Sequence, residues 1–112
     1  MENKTIRALF KAPEQDPVIV DTVPSEKTII GSLGGAYYKQ DIQLSTGKMV
    51  TMFYYQMSVR NNLKYNFTIC PTDDKRTWID ICGAVLVFGS GNSDIYLTKD
   101  EINELFKIPY EF

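Results

Sequence analysis

The stretch AYYKQDIQL-STG-KMVTMFYYQ, residues 36–56, decides how the rest of the chain is read. Two runs that read as strands flank Ser45-Thr46-Gly47, and a short turn containing glycine between such runs predicts a hairpin. In the second run Val50, Met52 and Tyr54 fall on one side and Phe53 and Tyr55 on the other, because successive side chains alternate across a sheet. A strand that is apolar on both sides predicts a central position, covered on both faces or partly covered by a partner.

Working outward toward the N-terminus, Gly34-Gly35 reads as a helix stop, since glycine accepts the left-handed conformation cheaply. The helix it ends runs through Ile29, Ile30 and Leu33. Thr22 is its expected cap, Pro24 lies near its first turn, and Glu26 suits its positive end. Before it, Thr5 to Lys11 and Val18 to Asp21 predict two strands joined at Pro13 and Asp16-Pro17, as a hairpin.

On the C-terminal side, Met57 to Asn62 is ambiguous, with Arg60-Asn61-Asn62 as a turn candidate. Leu63, Tyr65, Phe67 and Ile69 alternate with Lys64, Asn66 and Thr68, which predicts a half-buried strand, with a short helix as the alternative. Pro71 to Lys75 reads as a polar loop. Trp78 to Phe88 reads as one strand with Ile79, Ile81, Val85 and Val87 on one face, and Gly83 as a bulge or a close backbone approach. Gly89-Ser90-Gly91-Asn92 ends it. Thr98-Lys99-Asp100-Glu101 fits a capping box, followed by the stripe Ile102, Leu105 and Phe106 and the stop Pro109.

These signals predict an α+β fold in one domain over residues 1–112. Its core is a mostly antiparallel, twisted sheet of five to six strands. A short N-terminal helix accompanies it, and a C-terminal helix packs on one face through Ile102, Leu105 and Phe106.

Composition narrows the function classes. The chain of 112 residues carries 12 Lys and Arg, 14 Asp and Glu and no histidine. Its basic residues are scattered from Lys4 to Lys107, with none of the stripe that replaces counterions on nucleic acid. Without imidazole the usual neutral-pH acid–base group and the commonest metal ligand are missing, and Ser/His/Asp and Cys/His systems with them. Cys70 and Cys82 do not supply a zinc site and read as small buried hydrophobes, with a single disulfide or a reactive thiol as the alternatives. Met1 to Lys11 has no apolar core of a signal peptide, and no run approaches the ~18 residues of a membrane span. A cytoplasmic protein is the expectation, and the sequon Asn66-Phe67-Thr68 then carries no meaning.

The order of signals also resembles a family of small bacterial and phage proteins, those carrying the domain of unknown function numbered 3846. The matching residues are Lys11 and Pro13, Leu33-Gly34-Gly35, Asp80-Ile81-Cys82-Gly83, and Leu97-Thr98 with Asp100 and Glu101. The chain departs from the family where it has Gln56 and Arg60-Asn61-Asn62. The resemblance implies an accessory protein of phages or mobile elements, and it implies no activity and no catalytic residue.

No constellation points to catalysis, a cofactor or a metal. Asp73-Asp74 beside Lys75-Arg76 reads as a solvated turn. The glycines of Gly31-Ser32-Leu33-Gly34-Gly35 lack P-loop spacing and fall at a helix end, where the dipole repels anions. Asp80, next to Trp78 on a strand, reads as a solvent-facing or turn-anchoring carboxylate, with a ligand-binding one as the alternative.

The aromatic residues carry the functional reading. The pairs Tyr37-Tyr38 and Tyr54-Tyr55 must each split across the two sheet faces, which leaves one member of each on the less protected side. Exposed tyrosines favour protein interfaces, because they supply area at low entropy cost. The candidate binding residues are therefore Tyr37, Tyr38, Lys39, Tyr54, Tyr55, Arg60, Trp78 and Asp80. The leading expectation is a non-enzymatic module that binds a host protein, directed at a host defence system. One alternative is single-stranded nucleic acid stacked on these rings, with Lys39, Lys48 and Arg60 nearby. The other is a small-molecule or nucleotide pocket at Asp80 and Trp78. Pairing of two copies through a strand edge is compatible with all three.

Overall fold

A computed structural model describes residues 4–55, 63–69 and 79–106. Over these residues the order is β1 (Ile6–Lys11), β2 (Val18–Thr22), α1 (Glu26–Leu33), β3 (Tyr37–Gln43), β4 (Met49–Tyr55), β5 (Tyr65–Ile69), β6 (Ile79–Cys82), β7 (Val85–Gly89) and α2 (Lys99–Leu105). Five strands form an antiparallel sheet in the order β2-β1-β7-β4-β3, and β5 and β6 form a separate two-stranded sheet. The fold is thus α+β with two helices, as the sequence predicts. The main sheet holds five strands, and the sixth that the sequence allows is not in it.

The predicted hairpin is present over residues 37–55, with Tyr37 opposite Tyr55 and Gln43 opposite Met49. Its second strand, β4, lies inside the sheet, between β3 and β7. Both of its faces are covered. Phe53 joins Ala8, Ile29, Leu33, Leu86 and Phe88 on the α1 side. Val50 and Met52 join Leu9, Val85, Val87, Leu105 and Phe106 in the cluster that includes α2, Phe67 and Ile81. Period-two alternation in β4 and β7 therefore feeds two cores at once, which is why both strands read as continuous apolar runs.

Three local expectations are corrected. First, Thr22 does not cap α1. It is still in β2, opposite Ile6. Ser25, in extended conformation, accepts the amide of Thr28 instead. Gly34 ends the helix at φ 97°, donating its amide to the carbonyl of Ile30.

Second, Trp78 to Phe88 is not one strand. The chain turns at Gly83, φ 80°, and passes from the two-stranded sheet into the five-stranded one. Hydrophobic alternation does not detect this corner, because Ile81 before it and Val85 after it enter the same core cluster. Gly83 is nevertheless a close approach: a Cβ there would lie 2.8 Å from Cδ1 of Leu63.

Third, the alternation in β5 is broken. The register of β5 on β6 shifts between Tyr65 and Phe67, so Asn66 and Phe67 are both buried while Tyr65 is exposed. A bulge turns two successive side chains inward, which a clean period of two forbids. Asn66 uses its buried position to pin the corner. Its amide donates to the carbonyls of Lys11 (3.0 Å) and Gly83 (2.9 Å), and its oxygen accepts from the Lys11 ammonium at 2.8 Å. Burial lowers the pKa of that ammonium, partly offset by the charge of Asp16.

The capping box of α2 is complete: Thr98 accepts the Glu101 amide, and Glu101 accepts the Thr98 amide. The β3–β4 turn closes onto this helix. The amide and hydroxyl of Ser45 donate to Glu104, and the Thr46 hydroxyl donates to Glu101 at 2.6 Å. Among the described residues no helix is long and apolar enough to cross a membrane.

Candidate functional surface

The hairpin register places Tyr37 opposite Tyr55 and Tyr38 opposite Tyr54, at the ends of β3 and β4 farthest from their turn. Each consecutive pair splits across the sheet, as alternation requires. Tyr37 and Tyr55 lie on the α1 face. Tyr37 meets Phe53 edge-on, with ring centroids 5.1 Å apart. The ring of Tyr55 lies under Gly35, where a Cβ would come within 2.6 Å of it. These two rings serve packing.

Tyr38 and Tyr54 lie on the other face, where Tyr54 packs against the cluster containing α2. Their centroids are 5.6 Å apart with the planes tilted by 51°. Tyr54 is half-buried, and burial, with Tyr38 adding, raises its hydroxyl pKa. Tyr38 is 48% exposed, the most open of the four tyrosines.

The remaining candidate residues do not join this pair. Lys39 is exposed but points to the opposite face from Tyr38, since the two are neighbours on one strand. Lys48 sits at the far end of the hairpin, bonded to the carbonyl of Tyr96 (2.7 Å) and to Glu101 (3.0 Å). Neither Lys39 nor Lys48 therefore stands beside the Tyr38–Tyr54 pair on its face of the sheet. Asp80 is exposed, on β6 of the second sheet. It stands near Cys82, whose thiol pKa is raised by burial first and by the Asp80 charge second. Arg60, Trp78 and Cys70 lie outside the described residues. Among the described residues no three His, Cys, Asp or Glu side chains gather as metal ligands would.

The most exposed tyrosine among the described residues escaped the sequence reading. Tyr96 is 65% exposed, between buried Ile95 and half-buried Leu97. The Arg7 guanidinium carbon lies 5.4 Å from its ring centroid, and Arg7 Nε donates to the carbonyl of Ile95 at 3.0 Å. The backbone amide of Arg7 donates to Asp94. Tyr96, Lys48, Met49, Ser90, Ser93 and Asp94 border a shallow open groove of about 270 Å³. The signal was available: in Ile95-Tyr96-Leu97 an apolar–aromatic–apolar alternation places the tyrosine outward.

Glu101 is the most perturbed group described. It is buried and accepts from Thr46, from the Thr98 backbone and from Lys48, and these bonds hold its carboxyl pKa at about 2. Both carboxylate oxygens are engaged within the fold, so Glu101 locks the turn to the helix. Lys64 and Glu14 form an exposed ion pair at 2.9 Å, a type that contributes little.

No protein-family model, no curated protein and no solved structure matches the chain.

Proposed function

We propose that the chain is a non-enzymatic module that binds another protein by surface contact, with the Tyr38–Tyr54 side of the β3–β4 hairpin as its contact area. The observation that carries the reading is Tyr38. It is a large aromatic residue, 48% exposed, on a strand that ends the sheet, supported from beneath by a half-buried tyrosine. A ring held in place by a second ring loses little entropy on burial, which suits an interface anchor. The motif resemblance extends the proposal to an accessory protein of a phage or mobile element, whose partner would be a cytoplasmic host protein.

Single-stranded nucleic acid fits less well. The exposed ring and Lys39 face opposite ways, so stacking and phosphate neutralisation would not act on one strand together. A gel shift at low salt that collapses as salt rises would favour that reading over ours.

The test is capture of partners from host lysate with the wild-type chain, Tyr38→Ala and, as a control, Ile30→Ala on the exposed side of α1. A partner held through Tyr38 should bind about thirtyfold more weakly to Tyr38→Ala, the effect of losing an anchor worth about 2 kcal/mol. It should bind Ile30→Ala normally. Equal capture by all three, or no specific capture by the wild type, defeats the proposal.

A further inference from the structure

The two margins of the five-stranded sheet differ. The direction of each backbone group on them follows from the bonds around β1. Arg7 donates its amide to Asp94 and accepts the amide of Ile95 at its carbonyl, so its backbone faces away from β2. In an antiparallel ladder successive residues face alternate sides. Ile6, Ala8 and Phe10 therefore face β2 and bond to Thr22, Val20 and Val18, their register partners. Ile19 and Asp21 are left with amide and carbonyl directed outward. Among the described residues no strand pairs with that side.

An open edge of this kind is usually guarded by lysine, proline or a bulge. The β3 margin has such guards: Lys39 and Asp41 are exposed, and the Gln40 side chain covers the carbonyl of Asp41. The β2 margin has Pro17 just before its start and exposed Asp21, but no lysine and no bulge. Between them it reads Val18-Ile19-Val20, with Val18 49% and Ile19 45% exposed.

We infer that two copies of the chain pair through β2, antiparallel about a two-fold axis at Val20, to join their sheets into one. That register satisfies the edge. Ile19 of one copy exchanges both backbone bonds with Asp21 of the other, twice over by symmetry. One step further out, Pro17 stands opposite Val23. Proline has no amide to donate, and the Val23 carbonyl needs none, because it already accepts the amide of Ser25 at 2.8 Å. The Val23 amide can then meet the Pro17 carbonyl. Charge agrees as well: each Asp21 lies opposite Ile19, and the two aspartates stay apart. Shifting the axis to Asp21 would place like charges face to face, which destabilises a pair. Shifting it to Ile19 would set Pro17 against an Asp21 carbonyl that it cannot serve. The surface is at the opposite margin from Tyr38, so its test and that of the proposed function fail independently.

Sedimentation of the full chain over a wide concentration range should show a monomer–dimer equilibrium. Ile19→Pro removes one outward amide without touching the bonds to β1, and it should abolish the dimer. Ile19→Lys should preserve or strengthen it by facing Asp21 of the second copy. Residues opposite one another at a non-bonded position have Cα atoms close enough for a disulfide. Val20→Cys should therefore cross-link to itself under mild oxidation, and Val18→Cys should not. This second readout stands if Ile19→Pro fails to fold. A wild-type chain that stays monomeric throughout, or a dimer indifferent to Ile19→Pro with no Val20→Cys cross-link, overturns the inference.

Discussion

Replacing Asn66 with leucine tests how the two sheets are joined. Leucine has the branched heavy-atom skeleton of asparagine, with methyl groups in place of the amide oxygen and nitrogen, so the change removes polar contacts without opening a cavity. Asn66 is 5% exposed and serves three groups: the carbonyls of Lys11 and Gly83 and the ammonium of Lys11. The Lys11 carbonyl also lies in the β1–β7 ladder, where Lys11 is opposite Val85, and the ammonium can turn toward water. The main loss falls on the Gly83 carbonyl at the corner. Leaving one buried polar group unpaired costs about 1–3 kcal/mol. Adding the weakened Lys11 contacts gives about 2 kcal/mol for Asn66→Leu, a large fraction of a typical domain's stability. Equilibrium unfolding in urea should report it. With a slope of about 1–3 kcal/mol per molar, the midpoint should fall by roughly 1 M with the slope unchanged. Lys11→Met, which keeps both carbonyl bonds, should cost less than half as much. A midpoint within about 0.2 M of wild type for Asn66→Leu would refute the view that Asn66 holds the corner.

Other substitutions probe other links. Gly89→Ala should be strongly destabilising in thermal unfolding, because a Cβ there would collide with the carbonyl of Asp94 and crowd the Ser93 hydroxyl at 2.8 Å. Thr98→Ala removes the cap of α2 and should cost about 1 kcal/mol in the same assay, and Thr98→Ser should recover most of it. Glu101 has a folded-state pKa of about 2 against about 4.3 in an unfolded chain. Its stabilisation is therefore complete above the unfolded value and is lost as pH falls through the folded one. Glu101→Gln should be less stable than wild type at neutral pH, and its stability should fall less steeply between about pH 5 and pH 2. Parallel profiles for the two proteins would discount the carboxylate.

The parts of the fold that sequence reveals are those where one local rule acts alone. The β3–β4 hairpin, the Gly34 stop and the Thr98 capping box each depend on a few adjacent residues, and all three are present. The errors arise where a second rule intervenes. At Gly83 a turn in the backbone leaves the hydrophobic pattern continuous, so one apolar run hides two strands in two sheets. At Asn66 a bulge buries a polar residue that alternation assigns to solvent, because its partners come from Lys11 and Gly83 elsewhere in the chain. Of the candidate surface, the division of the tyrosine pairs was legible from alternation. Which member stays open was not, because it depends on where the sheet ends and what covers each face. The same limit hid the β2 margin, whose backbone directions are set by contacts between Arg7 and residues 94–95.

The strand order has a consequence for how the chain is assembled. Each outer pair, β1 with β2 and β3 with β4, is a local hairpin that can close as soon as it leaves the ribosome. The strand that stands between β1 and β4 is β7, the last of the described strands to be synthesised. Until Val85 to Gly89 emerges, the nascent chain holds two half-sheets with no common seam. Closing that seam must wait for a contact of long sequence separation, which slows folding. Substitutions in β7 should thus alter the refolding rate far more than substitutions in β2, and equal effects at Val87 and Ile19 would show that the half-sheets meet by another route.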